Sequence, residues 1–76
     1  MILNLIVTRS DDGCTAEIPS LKGCECWAHD ENTVLDKILE LAAYYLKTDV
    51  KRLKVDRARG NRNKIIYKLI FNNNIT

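Results

Sequence analysis

Along residues 2–9 the chain reads ILNLIVTR, with apolar positions on both sides of a two-residue period. Leu3, Leu5 and Val7 fall on one face of an extended strand, and Ile2, Asn4, Ile6 and Thr8 on the other. Both faces are apolar enough for a strand covered in part on each side. Asp11-Asp12-Gly13 interrupts the pattern with two residues that tolerate turn geometry and a glycine free to take positive φ. Alternation resumes over 14–18, where Cys14, Ala16 and Ile18 oppose Thr15 and Glu17. Pro19, without an N–H for a ladder, ends that run. Beyond a 19–23 loop anchored by Leu21, residues 24–28 put Cys24, Cys26 and Ala28 on one face and Glu25 and Trp27 on the other. A hairpin closed by this loop sets Ile18 near Cys24 and Ala16 near Cys26. All three cysteines then share one face.

The period then changes to that of a helix. Asp30 is a good N-cap, and Glu31 is favourable against the helix dipole in the first turn. Val34, Leu35, Ile38, Leu39, Leu41, Ala42, Tyr45 and Leu46 project within an arc of roughly 160°. The spacing predicts one amphipathic helix over about 31–46. Residues 47–64 are weakly patterned: Thr48 is a candidate cap for one short turn carrying Val50 and Leu53, and 57–64 read as an exposed loop. The run IIYKLIF at 65–71 predicts a last strand, and 72–76 a frayed tail. The expected fold is α+β with two layers in the order β-β-β-α-β. A three-stranded meander and a returning strand form the sheet, with one amphipathic helix packed on it. Residues 1–76 form a single domain in this reading.

Length and charge sharpen this picture. A chain of 76 residues buries only ~60–65% of its unfolded surface, so its core is thin and homo-oligomerisation is expected to supplement it. The net charge of +2 conceals a split. Residues 1–46 carry three basic and eight acidic side chains, a balance of −5; residues 47–76 carry nine and two, a balance of +7. Such a split suggests an electrostatically directed partner, contact between the halves, or a solvated basic loop. The first apolar run is broken at Asn4 and stops at Arg9, far short of the ~20 residues of a membrane span, and no basic leader precedes it. Three cysteines, an odd number, fit a reducing compartment better than a disulfide scaffold. A cytoplasmic location is expected, with no membrane contact.

Candidate chemistry centres on Cys14, Cys24, Cys26 and His29, four residue types able to ligate zinc. Cys-x-Cys on a strand holds its side chains about 6.5–7 Å apart, a strained fit to a tetrahedral centre. Buried free cysteine commonly acts as a small hydrophobe, so a core role is expected, with no metal and no cofactor. A Cys–His nucleophile would lack an orienting group, and the carboxylates are scattered, so no catalytic residue is assigned. Trp27 either packs under the helix or, if the cysteine face lies there, stands exposed as an anchor for a partner. Lys51, Arg52, Lys54, Arg57, Arg59, Arg62 and Lys64 are candidates for phosphate contact, without interleaved aromatics for base stacking.

The stretch Asp12-Gly13, Ala16-Glu17-Ile18-Pro19, Leu21, Gly23-Cys24, followed by a helix closing on Tyr45-Leu46, resembles the HicB-like family of antitoxin-type proteins. The resemblance spans about residues 11–46. It implies a reduced RNase H-like unit without the carboxylate cluster, acting in a toxin–antitoxin system. The expected function is non-enzymatic: binding and neutralising a small HicA-like RNase toxin. Many members continue into a DNA-binding domain, and none is expected here. Asp11, Asp12, Glu17, Glu25, Trp27 and His29 are the expected partner-binding residues, and Asp30 and Glu31 add acidic charge suited to a basic toxin. The alternative is a stand-alone nucleic-acid-associated protein using the basic 47–64 segment.

Overall fold

A computed structural model describes residues 2–71; the tail expected to fray lies outside the described residues. Strands β1 (Ile2–Ser10), β2 (Gly13–Glu17), β3 (Glu25–Ala28), β4 (Leu53–Gly60) and β5 (Lys64–Phe71) form one antiparallel sheet. Their spatial order is β3-β2-β1-β5-β4, and helix α1 (Glu31–Leu46) packs chiefly on β2 and β3. The two-layer α+β architecture is the expected one, with one strand more than the sequence pattern predicts. Leu53 and Val55 oppose Phe71 and Leu69 from β4, but Arg57 takes the next inward position, opposite Tyr67. An edge strand has one ladder partner and needs little apolar surface, which hides its alternation. A register shift between Arg57 and Arg59, with Ala58 as the extra residue, interrupts the pattern again.

The β1–β2 connection is the expected acidic turn, with Ser10 opposite Gly13. In the β2–β3 hairpin Ala16 opposes Cys26 and the Ile18 amide donates to the Cys24 carbonyl (3.0 Å), the register expected from the sequence. Gly23 takes φ 82° in the connecting loop, where a Cβ would lie 3.0 Å from the Tyr45 hydroxyl of the last helical turn. Asp30 caps α1 by accepting from the Thr33 amide (2.7 Å). Lys47 ends it in the left-handed region (φ 55°), and the Thr48 amide returns to the Ala43 carbonyl (2.9 Å). A short 3-10 turn at Val50–Arg52 follows, capped by Asp49 rather than by Thr48: the Asp49 carboxylate accepts from the Lys51 amide (3.1 Å).

The core lies between α1 and the face bearing Leu5, Val7, Cys14, Ala16, Ile65, Tyr67 and Leu69. The helix therefore covers the sulfur face. Cys14 and Cys24 are buried and Cys26 is half-buried, its thiol 3.7 Å from the Val34 carbonyl. Trp27 is not under the helix; its indole is 43% exposed on the opposite face. Size decides between the two faces. The strand residues Cys14, Ala16, Cys26 and Ala28 are small, and α1 buries Val34, Ile38, Ala42 and Ala43. Small residues on both elements permit close approach, which an indole in that layer would prevent.

Candidate functional site

The uncovered face of the β2–β3 hairpin gathers the expected partner-binding residues around Trp27. The indole lies over Gly13: a Cβ there would meet Trp27 Cζ2 at 2.8 Å and the Ala28 carbonyl oxygen at 2.5 Å. On its other side the His29 imidazole makes an edge contact, with ring centroids 4.7 Å apart and planes at 71°. Lys37, from α1, donates to the Trp27 carbonyl (3.3 Å) and ties this strand to the helix. The aromatic group is thus half-exposed and held in place, as suits an anchor residue.

Acidic residues stand at both ends of this surface. Asp11 and Asp12 form the exposed β1–β2 turn beside Gly13, and Glu17 and Glu25 are directly opposed across the β2–β3 ladder, both exposed. Like charges at opposed positions destabilise a hairpin. No ion pair among the described residues relieves this one. A shallow groove runs between them, lined by Thr15, Glu17, Glu25, Cys26 and Trp27. The outer edge of β3 flanks it, since β3 is the terminal strand of the sheet.

Asp30 and Glu31 do not join that surface, because both are occupied by the fold. Asp30 caps the helix, and its hydrogen bonds with Thr33 hold its carboxyl below the ordinary range. Glu31 accepts from the Tyr67 hydroxyl and from the Arg9 guanidinium (2.7 Å). The Tyr67 hydrogen bond, supported by Arg9 and Arg57, holds Glu31 below the ordinary carboxylate range. Burial, then the same carboxylate, pushes Tyr67 up to about 12. This clamp joins β1, β5 and the start of α1. Sequence reading missed it. Its one signal was a tyrosine hydroxyl within an otherwise fully apolar inward alternation, a group that needs a partner when buried.

Burial also pushes the Cys24 and Cys26 thiols up, which lowers their thiolate fraction and their nucleophilicity. Among the described residues no group of three or more His, Cys, Asp or Glu side chains converges to hold a metal ion.

The basic segment is a hairpin rather than a loop beyond Arg57. Lys51 and Arg52 lie on the 3-10 turn, Lys54, Arg57 and Arg59 on β4, Arg62 in the β4–β5 turn and Lys64 at the start of β5. Asn61 shapes the turn by accepting from the Asn63 and Lys64 amides (both 2.9 Å). The cations are divided between the faces. Arg57 opposes Tyr67 and acts on the Glu31 clamp, whereas Lys54 and Arg59 oppose Ile70 and Ile66 on the uncovered face, with Asp56 between them.

No protein-family model, no curated protein and no solved structure matches this chain. No helix among the described residues is long and apolar enough to cross a membrane.

Proposed function

We propose that this chain is a non-enzymatic protein-binding module of the HicB antitoxin type, acting in the cytoplasm to neutralise a small, basic HicA-like RNase. The observation that carries this reading is the half-exposed Trp27, packed over Gly13 and against His29, beside the opposed pair Glu17 and Glu25 at a free strand edge. An anchored aromatic residue supplies contact area at low entropic cost. A cationic partner would relieve the Glu17–Glu25 repulsion on binding, and the acidic surface would speed its encounter. The β3 edge adds main-chain hydrogen bonds if the partner presents a strand.

The test is co-expression with a small, basic HicA-like RNase, read by co-purification and by growth. A stable complex with relief of toxicity is expected. Trp27→Ala should weaken the complex by about thirtyfold or more, as for a central anchor. No complex and no relief would remove the antitoxin reading. Retention of RNA in place of a protein, released by salt and lost on charge reversal of Lys54 and Arg59, would favour the nucleic-acid alternative.

A further inference from the structure

The face of the sheet opposite α1 carries a charge order that matches its own reverse. One continuous row crosses all five strands, each residue opposed to the next: Glu25, Glu17, Ile6, Ile66 and Arg59. It is acidic at the β3 end, aliphatic in the middle and basic at the β4 end. Ile2 and Ile70 form a second opposed aliphatic pair further along β1 and β5, with Ile2 63% exposed. Between the two pairs Lys68 donates to Asn4 (2.7 Å) and stands opposite Asp56 in the β4–β5 ladder. No element among the described residues covers this face.

We infer that a second copy of this chain packs on this face, sheet against sheet, about a two-fold axis running along the strands between β1 and β5. An isologous contact places one patch against itself. A two-fold axis across the strands would set the acidic end over the acidic end. The axis along the strands sets each acidic end over a basic one instead. Ile6 then meets the partner's Ile66, Ile2 meets the partner's Ile70, and Glu17 meets the partner's Arg59, twice by symmetry. The twist of the sheets fits the aligned packing of two-sheet sandwiches, about 10 Å apart. A thin single-chain core gives such a contact apolar area to gain. Trp27 and Glu25 lie on β3, beyond the partner's β4 edge, and stay open, whereas Glu17 is taken up by the partner's Arg59; the inference itself does not depend on the antitoxin reading.

Charge reversal tests the arrangement. Wild-type protein should sediment as a dimer that dissociates on dilution. Glu17→Arg and Arg59→Glu each put two like-charged contacts across the axis and should weaken dimerisation at least about tenfold. An equimolar mixture of the two variants should restore a one-to-one dimer, because each new charge then faces its opposite. Circular dichroism melts at dilutions where all three proteins are monomeric should show Arg59→Glu matching wild type, and Glu17→Arg at or above it because the new charge also relieves the opposition to Glu25. A wild-type chain that stays monomeric would assign the strip to another occupant and overturn the inference. Single reversals without effect, or a mixture that stays monomeric, would overturn it equally.

Discussion

The two faces of this sheet are built from the same strands and nearly the same aliphatic content, yet only one carries the helix. On the covered face β2 and β3 supply small residues, Cys14, Ala16, Cys26 and Ala28, and the central strands supply Leu5, Val7, Ile65 and Leu69. On the other face the central strands supply Ile2, Ile6, Ile66 and Ile70, but the flanks carry Glu17 and Glu25 on one side and Lys54 and Arg59 on the other. Hydrophobicity in the central strands therefore does not choose the side of the helix. Small side chains on the flank do, because they let a helix sit close, whereas charges on the flank leave the strip to a surface that brings charges of its own.

The largest expected effect separates the faces directly. Leu5 is fully buried and Ile2, three residues before it on the same strand, is largely exposed. Leu5→Ala should cost about 2–5 kcal/mol in chemical denaturation, through lost burial and the cavity left behind. Ile2→Ala, measured at dilutions where the chain is monomeric, should stay within about 0.5 kcal/mol. Equal costs at the two positions would erase the distinction between a packed face and an open one.

That distinction was only partly legible in the sequence. The hairpin register followed from Pro19, Gly23 and period-two alternation, and the helix from its 3.6-residue spacing and Asp30. These are local signals, and the structure has them where the pattern put them. The side of the helix was not local: it depended on the sizes of residues from β2, β3 and α1 meeting in space, and Trp27 read equally well either way. The strand β4 was obscured because an edge position tolerates Arg57 inward and an extra residue at Ala58. Of the candidate site, the acidic residues and Trp27 were nameable as separate points. Their arrangement around Gly13 and His29 required the β2–β3 pairing, and the withdrawal of Glu31 into the Tyr67 clamp required β5.

Gly13 is the place where the open face is as tight as the covered one. A Cβ at this position would lie 2.5 Å from the Ala28 carbonyl oxygen, which is backbone and cannot swing aside. Its φ of 155° is also one that side chains rarely adopt. Gly13→Ala should therefore cost about 2 kcal/mol, well above an ordinary surface substitution. Displacement of the indole should shift tryptophan fluorescence to the red. A neutral substitution with unchanged fluorescence would show that Trp27 is not held over Gly13, and the open face would lose its fixed anchor.

The Tyr67 clamp fastens the covered face at the N-terminal end of the helix. Tyr67→Phe leaves the half-buried Glu31 carboxylate with Arg9 alone and should cost about 1–2 kcal/mol at neutral pH, discounted for partial exposure. The pH dependence has two limbs. Glu31 titrates below its unfolded value of 4.5, so its contribution is present above that pH and is lost as pH falls through the folded value. Tyr67 titrates near 12 rather than 10, so its contribution is present below pH 10 and is lost as pH rises through about 12. Denaturation midpoints followed against pH should show both limbs in wild type. The alkaline one should vanish in Tyr67→Phe and the acid one should shrink. A wild-type profile without either limb would argue against the clamp.

The smallest effect acts at the other end of the helix and has the opposite sign. Lys47 ends α1 in the left-handed region, where a Cβ crowds the backbone and glycine does not. Lys47→Gly should keep the return hydrogen bond from Thr48 to Ala43 while relieving that crowding, partly offset by the greater unfolded-state freedom of glycine. A net stabilisation of about 0.5–1 kcal/mol is expected. Because Lys47 belongs to the helix layer, the gain should appear in denaturation midpoints while the proposed dimerisation on the open face stays unchanged. If the substitution altered dimerisation instead, the two faces would be coupled through the helix terminus, and the separation between a structural face and an interaction face would not hold.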